Sequence, residues 1–265
     1  MARKRRKDWL QFGSGKGYFD RTHYPLQCLI FISPLLMFYQ IGTALHPWNP
    51  QEQGTPTHVV AFKLMQDFFN LFGAAGNYLP LLAVVAILLS WHAARKDKWD
   101  FDPKLYLGMA GESVLLAIPV FVMGLAIFRK AGVTVPGAMA WIETLAQTQT
   151  LPFQTQVVIS VGAGIYEELI FRLIAIVILN IILVDVFDMK VPTAIPVIIV
   201  ISAILFSLYH YLGNESFNLS FFAFRVGFGI YLAGIYIYRG FGITVGCHAV
   251  YDLILAFAEH WRSGQ

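Results

Sequence analysis

Charged residues and cysteines are scarce in this sequence of 265 residues. Asp, Glu, Lys and Arg make up 13% of the chain, about half of the fraction that is usual in a soluble domain. Hydrophobic residues make up 57%, more than a soluble domain of this size could hide without exposing large apolar patches. The shortage of charge therefore argues against an ordinary soluble domain and indicates that the bilayer covers much of the surface.

The two cysteines, Cys28 and Cys247, both lie inside apolar segments. Such a small number argues against a disulfide framework. Neither cysteine has a Cys or His at the spacing of a metal-binding finger, although Cys247 adjoins His248. The formal net charge of +3 is too small and too uneven to indicate nucleic-acid binding, so no nucleic-acid partner is expected.

Most of the excess positive charge stands near the N-terminus, at Arg3, Lys4, Arg5, Arg6 and Lys7. Basic residues next to a first membrane span tend to stay on the cytoplasmic side. Residues 1–25 are therefore predicted to form a basic cytoplasmic N-terminal tail. The loop at 95–104 is also basic and follows the second predicted span, so it is expected on the same side.

Apolar runs long enough to cross a bilayer dominate the chain. A spanning helix needs about 20 mostly apolar residues, and seven stretches approach this length: residues 26–45, 78–94, 105–128, 157–184, 191–212, 219–238 and 243–258. The fold class is predicted as all-α, a polytopic transmembrane helical bundle of about seven spans (six to eight). No internal repeat or second domain is visible, so residues 1–265 are interpreted as a single integral membrane domain.

Between the first two spans, residues 58–72 have the pattern of an amphipathic helix. Apolar side chains including Phe62, Met65 and Phe69 lie largely on one side, and Lys63 and Asp67 lie on the other. This pattern predicts an additional interfacial helix. Such a helix either packs on the bundle as an anchor or gates the lateral entry of another molecule. The long connection at 129–156 is expected on the side of the membrane opposite the tail.

One apolar run contains three charges within six residues, at Glu167, Glu168 and Arg172. An ionisable side chain at bilayer depth costs at least about 2.5 to 3.5 kcal/mol, so it usually faces a cavity and indicates function. Glu168 and Arg172 stand four residues apart and can pair on a helix. Glu167 lies about 100° further around the axis, so it is free to point elsewhere. A carboxylate in that position suits a general base acting on water.

Two histidines occur at membrane depth in later spans. His210 ends the stretch FSLYH in the fifth predicted span, and His248 begins the stretch HAVYD in the seventh. Asp252 shares a helix face with His248 and can orient its ring. If the sixth predicted span crosses the membrane completely, the fifth and seventh spans run parallel, so counting places the two imidazoles at different depths. A shifted boundary or a tilted, broken or re-entrant segment is needed to bring them together.

Three motifs follow one another along the chain: Glu-Glu-x-x-x-Arg at 167–172, Phe-x-x-x-His at 206–210 and His-x-x-x-Asp at 248–252. Together, and within residues 157–258, they resemble the CPBP family. That family contains CAAX prenyl endopeptidases of the Ras-converting type and the bacterial bacteriocin-processing and immunity proteins, also called Abi proteins. The resemblance implies a multi-pass protein of a bacterial or archaeal plasma membrane.

The resemblance also implies a function, namely that of a glutamic-type intramembrane protease. The substrate would be a membrane-associated protein or peptide, lipidated or not, and no cofactor would be needed. By this likeness Glu167 would activate water, Glu168 and Arg172 would support it, and His210 with His248 would stabilise the oxyanion.

Asp252 departs from the motif of the prenyl endopeptidases, which generally carry Asn at this position. An ionised Asp cannot donate a hydrogen bond. Specificity for prenylated proteins is therefore not implied at this position.

Other interpretations of the same residues stay open. Glu167, His210 and His248 match a ligand set of catalytic zinc, which would make the protein a zinc-dependent metallopeptidase, although the His-Glu-x-x-His helix is absent. A transporter or an immunity scaffold would use the residues to relay protons or to bind a partner. Alternatively, the two acids and Arg172 would form a buried ionic clasp between helices.

Two further charges lie within predicted spans. Glu112 either lines the same cavity or reaches the lipid headgroups. Arg225 is expected to snorkel toward the membrane surface or to pack against a neighbouring helix. Neither residue is predicted to be catalytic.

Overall fold

The computed structural model describes residues 15, 17–45, 60–73, 76–130, 152–212 and 217–263. Within these ranges the chain forms helices and no strand. In chain order the helices are α1 (Tyr18–Arg21), α2 (Pro25–Leu45), α3 (Val60–Leu71), α4 (Leu79–Arg95), α5 (Pro103–Lys130), α6 (Phe153–Val186), α7 (Val191–Leu212), α8 (Leu219–Arg239) and α9 (Phe241–Ser263). Helix α6 contains two π-helical segments, Leu169–Ile174 and Ile181–Val186, and α7 ends in a 3₁₀ turn, His210–Leu212.

The all-α transmembrane bundle predicted from the sequence is confirmed. Each of the seven predicted spans falls on one helix, and among the described residues six helices, α2 and α5 to α9, are long and apolar enough to cross a membrane. Helix α4 is apolar but has only 17 residues, about 25 Å at 1.5 Å per residue. The protein is an integral, multi-pass membrane protein. The basic residues at 3–7 and most of the predicted 129–156 connection lie outside the described residues.

Polar contacts tie the N-terminal segment to one end of the bundle. Arg21 forms ion pairs with Asp100 and Asp102, at 2.8 and 2.7 Å, and Nε2 of His23 lies 3.2 Å from the carbonyl oxygen of Ile237. The last part of the predicted tail is therefore folded onto the helices. We refer to this end, where α1 meets the α4–α5 loop and the α8–α9 turn, as the collar end.

The helices from α4 onward, together with α2, alternate in direction. Helix α2 begins at the collar end and α4 ends there, since the guanidinium of Arg95 lies 5.4 Å from the centre of the Tyr24 ring. Helix α9 begins there after a turn at Gly240, whose φ of 85° favours glycine. A Cβ atom at Gly240 would lie only 2.7 Å from the carbonyl oxygen of Thr22. The segment that contains α3 joins α2 to α4 and therefore lies at the end opposite the collar.

Close helix contacts depend on small residues. A Cβ atom at Gly164 of α6 would lie 2.8 Å from the backbone nitrogen of Ala249 in α9, and one at Gly229 of α8 would lie 2.9 Å from the Cα of Ala203 in α7. Small residues at such crossings let helix backbones approach closely in a membrane. The contact at Gly164 holds α6 and α9 together one helical turn from Glu168.

The predicted amphipathic helix is α3, but it buries a narrower stripe than the sequence pattern indicated. Ala61, Phe62 and Met65 are buried against the bundle, whereas Leu64 and Phe68 are exposed by 40 and 56%. Its apolar side therefore faces both the bundle and the surroundings, as expected of a helix that packs on protein and also contacts lipid.

Candidate active site

All six side chains predicted for the site lie in one connected cluster inside the bundle: Glu167, Glu168 and Arg172 of α6, His210 of α7, and His248 and Asp252 of α9. The side chains of His210 and Asp252 are exposed by 21 and 23%, and the other four are buried. The cluster is therefore enclosed except near these two residues.

Glu168 is fully buried and has partners on two helices. Its Oε1 accepts a hydrogen bond from Nδ1 of His248 at 2.8 Å, and its Oε2 lies 3.0 Å from Nε of Arg172. The predicted pairing of Glu168 with Arg172 is thus present. Arg172 also donates a hydrogen bond to Ser202 of α7 at 3.4 Å, and its guanidinium lies 5.0 Å from the centre of the Phe206 ring. These contacts connect α6 with both α7 and α9.

The first α-helical segment of α6 ends at Glu168, and a π-helical segment follows directly. Such segments are rare in proteins and often occur at functional sites. Within this one, the carbonyl oxygen of Phe171 accepts a hydrogen bond from Ser202 at 2.7 Å. Helix α7 is therefore anchored to the wide turn that carries Arg172. The amino-acid pattern contains no signal for this turn.

Glu167 faces the two histidines. Its Oε2 lies 3.9 Å from Nε2 of His248 and 4.0 Å from Nε2 of His210. These distances are too long for direct hydrogen bonds, and a gap of this size between polar atoms is suited to a bridging water molecule. The other oxygen, Oε1, accepts a hydrogen bond from the Tyr209 hydroxyl at 3.4 Å.

The contacts of the two Nδ1 atoms determine whether Nε2 of each imidazole faces Glu167 as a hydrogen-bond donor or as an acceptor. Nδ1 of His210 lies 2.8 Å from the carbonyl oxygen of Phe206, and Nδ1 of His248 lies 2.8 Å from the Glu168 carboxylate. Because a carbonyl and an ionised carboxylate only accept, each Nδ1 carries a proton. A neutral ring then presents an unprotonated Nε2 to Glu167, and a ring that is protonated on both nitrogens presents a donor.

The environment of Nε2 differs between the two rings. In His248 this atom also lies 3.4 Å from Oδ2 of Asp252. A proton on Nε2 of His248 therefore has an acceptor even without substrate. Among the described residues, the acidic group that lies near Nε2 of His210 is Glu167, at 4.0 Å. His248 is thus the better placed of the two to donate a hydrogen bond into the site.

The two histidines meet although α7 and α9 run in the same direction. His210 is the twentieth residue of α7, whereas His248 is the eighth residue of α9. A difference of twelve residues corresponds to about 18 Å at 1.5 Å per residue. The helices are therefore shifted along their axes. The start of α9 lies beside the first turn of α2, where the amide of Gly242 donates to Sγ of Cys28 at 3.3 Å. This shift removes the conflict in depth that counting residues produced.

Glu112 lies away from the candidate site, whereas Arg225 has one of its two expected positions. The Glu112 carboxylate binds Arg239 and accepts a hydrogen bond from the Tyr18 hydroxyl at 2.7 Å. These partners lie at the collar end, so the interpretation of Glu112 as a residue of the same cavity is wrong. Arg225 is only 3% exposed, and its guanidinium lies 5.5 Å from the centre of the Tyr211 ring. It packs against α7 and does not snorkel.

Tyr209 is the residue at the site that the sequence analysis missed. It directly precedes His210, is 5% exposed, and hydrogen-bonds Glu167. The available signal was a hydroxyl next to a membrane histidine. Other tyrosines also lie in the apolar runs of this chain, so the residue pattern alone does not distinguish Tyr209.

A zinc ion does not fit the site as it stands. The part of the chain that the structure describes has no group of three or more His, Cys, Asp or Glu side chains arranged to hold a metal ion. The three expected ligands are Glu167, His210 and His248, and the Glu167 oxygen is 3.9 and 4.0 Å from the two ring nitrogens. Ligands that share one tetrahedral zinc lie about 3.4 Å apart, given bond lengths near 2.1 Å.

Residues 149–254 match the family model described as type II CAAX prenyl endopeptidase Rce1-like. This similarity supports the predicted resemblance to the CPBP family of CAAX-type membrane proteases. The matched region contains all six clustered residues, because it starts before α6 and ends just after Asp252. No curated protein and no solved structure matches the chain.

We expect the Arg172→Met variant to lose about 3 to 5 kcal/mol of stability, because the buried Glu168 carboxylate then lacks its cation. Thermal unfolding of the purified protein in detergent measures the change. The double variant Glu168→Gln/Arg172→Met removes both charges and should recover part of the loss. Equal stability of Arg172→Met and the wild type would contradict the structural role of this ion pair.

Proposed function

We propose that this protein is a glutamate-dependent intramembrane endopeptidase, which hydrolyses a peptide bond of a membrane-associated protein or peptide. The observation that carries the proposal is the space between one oxygen of Glu167 and the Nε2 atoms of His210 and His248, at 4.0 and 3.9 Å. A water molecule held there would contact a carboxylate and two imidazoles at once. Bulk water is largely excluded by the surrounding helices, which strengthens each electrostatic contact.

In this reaction Glu167 is the general base. It takes a proton from the water as the oxygen attacks the carbonyl carbon of the scissile bond, and a tetrahedral intermediate forms. The same carboxyl group then gives the proton to the leaving nitrogen as the C–N bond breaks. General acid–base catalysis of this kind contributes roughly 10²- to 10⁴-fold to a rate.

The histidines have different roles. His248, with carboxylates near both ring nitrogens, donates from Nε2 to the oxyanion in its doubly protonated form. His210 donates a hydrogen bond from Nδ1 to the Phe206 carbonyl oxygen, so Nε2 of its neutral ring accepts a hydrogen bond from the water and orients it. Stabilisation of the oxyanion, which the family resemblance implies for both rings, is therefore assigned chiefly to His248.

Glu168, Arg172 and Asp252 act through these residues. Glu168 fixes the orientation of the His248 ring by accepting from Nδ1, and Arg172 balances the Glu168 charge. Asp252 holds the proton on Nε2 of His248 in position until substrate binds. These three contribute to geometry and electrostatics without touching the scissile bond.

The variant Glu167→Gln is expected to lose at least about 100-fold in cleavage rate while keeping the stability of the wild type, since Gln preserves shape and removes the base. The probes are two internally quenched peptides of one CAAX sequence, with and without a farnesyl group, in proteoliposomes. Asp185→Asn, an exposed substitution on the same helix, should leave the rate unchanged.

The same variant identifies natural substrates. Membrane proteins that remain uncleaved in cells carrying Glu167→Gln, but are cleaved in wild-type cells, are found by comparing protein N-termini. Near-normal cleavage by Glu167→Gln would exclude the proposed base. A phenotype that survives in this variant would instead favour a transporter or an immunity scaffold.

Zinc removal distinguishes the proposed mechanism from that of a metallopeptidase. We expect incubation with 1,10-phenanthroline to leave peptide cleavage unchanged, and elemental analysis to find far less than one zinc per chain, because the Glu167 oxygen lies farther from the two ring nitrogens than the ligands of one tetrahedral zinc lie from each other. Loss of activity on chelation, restored by added Zn²⁺, would establish the metallopeptidase.

The orientation in the membrane is part of the proposal. The N-terminus lies in the cytoplasm of a bacterial or archaeal cell, because the 95–104 loop and α1 bring basic residues to the collar end and such residues favour the cytoplasm. The seven alternating helices among the described residues then put the end of α9 outside. In a bacterial host, alkaline phosphatase fused after residue 265 should be active, and green fluorescent protein at the same position should be dark. The reverse result would invert the orientation.

A further inference from the structure

Helix α3 contacts the candidate active site directly. The backbone amide of Ala61 donates a hydrogen bond to the Tyr209 hydroxyl at 2.7 Å, and that hydroxyl donates to Oε1 of Glu167 at 3.4 Å. Ala61 is the second residue of α3, where an amide has no partner within its own helix. The N-terminal end of α3 is therefore connected to Glu167 through the side chain of Tyr209.

A second contact lies on the other side of Glu167. The Phe62 ring of α3 packs between Tyr39 of α2 and Tyr166 of α6, with ring centres 5.6 and 5.1 Å apart. Tyr166 directly precedes Glu167. Helix α3 thus docks on residues that flank the proposed base both in sequence and in space.

The rest of α3 is less buried, although Phe69 packs partly against the core and Gln66 donates a hydrogen bond to Asn77 at 2.9 Å. Beyond its three buried residues, Ala61, Phe62 and Met65, the helix exposes apolar side chains such as Phe68. In a membrane these side chains contact lipid, so a transmembrane or lipid-anchored chain can replace lipid along α3 without exposing new apolar surface to water. Displacement of α3 would remove the hydrogen bond between Ala61 and Tyr209 and would thereby change the contact between Tyr209 and Glu167.

We infer that Tyr209 is a positioning residue that couples the docking of α3 to the orientation of the Glu167 carboxylate. Docked α3 fixes the Tyr209 hydroxyl, and the hydroxyl fixes Oε1, which leaves Oε2 directed at the two histidines. Hydrogen bonds in active sites are often long before substrate binds and shorten afterwards, so the 3.4 Å contact is expected to tighten. The catalytic part of this inference rests on the proposed role of Glu167, whereas the docking part does not.

Docking is measured without any substrate. The substitution Ala61→Cys introduces a thiol at a fully buried position, and the native Cys28 and Cys247 are themselves buried. Adding Tyr209→Phe should raise the rate of maleimide labelling at position 61 several-fold, because α3 loses its hydrogen-bond acceptor. Tyr211→Phe, which removes a hydroxyl bonded to the Asn218 carbonyl oxygen, should leave that rate unchanged. An unchanged rate with Tyr209→Phe would overturn the docking role.

Catalytic coupling is measured with the farnesylated quenched peptide, or with a substrate found by the N-terminal comparison if that peptide is not cleaved. We expect Tyr209→Phe to lower kcat about tenfold with KM unchanged, since a hydrogen bond to a charged group that matters in the transition state is lost. Phe62→Ala, which undocks α3, should have a similar effect. Phe68→Ala, an exposed position on the same helix, should have none.

The double variant Tyr209→Phe/Phe62→Ala shows whether the two substitutions lower kcat through the same contact or independently of each other. If α3 acts through Tyr209, the double variant loses about tenfold in kcat, as each single variant does. Losses that multiply to about a hundredfold, or an unaffected kcat in Tyr209→Phe, would overturn the inference. The proposed function fails separately, if Glu167→Gln cleaves as well as the wild type.

Discussion

A carboxylate inside an apolar bundle has to be held by a cation or by hydrogen-bond donors, because leaving it unpaired costs several kcal/mol. Glu168 meets this constraint with Arg172 on its own helix and His248 on α9. Both of its oxygens are then engaged. The adjacent Glu167 lies about 100° around the helix, so it shares the cavity without sharing these partners, and one of its oxygens remains available to act on water. Two neighbouring acids can therefore have different roles for a purely geometric reason.

Helix packing makes this arrangement possible. Gly164 lets α6 and α9 touch one turn from Glu168, which brings His248 within hydrogen-bonding distance. The turn at Gly240 starts α9 beside the first turn of α2, so that His248 reaches the level of His210 although their positions along parallel helices differ. The contacts at the collar end hold α2, α8 and α9 in this relative position. The geometry of the site thus depends on backbone approach at a few glycines as much as on the polar residues themselves.

The sequence predicted the helices well because a run of about 20 apolar residues has few alternatives in a bilayer. It also predicted the pairing of Glu168 with Arg172, since a four-residue spacing is a local property of a helix. Prediction from the sequence failed for features that depend on contacts between residues far apart in the chain. The partner of Glu112 is 127 residues away, and the shift of α9 relative to α7 depends on contacts with α2. The π-helical turn after Glu168 and the involvement of Tyr209 have no distinctive residue pattern.

The position of α3 limits which substrates fit. Helix α3 lies at the end opposite the collar, and the two more exposed side chains of the site, His210 and Asp252, follow the buried residues of α7 and α9 toward that end. If the collar end is cytoplasmic, as its basic residues favour, a chain that enters past α3 comes from the outer leaflet. A protein lipidated in the cytoplasm would approach from the other side. Under the proposed orientation, a membrane-anchored segment exposed on the outer side therefore agrees better with this geometry than a protein prenylated in the cytoplasm.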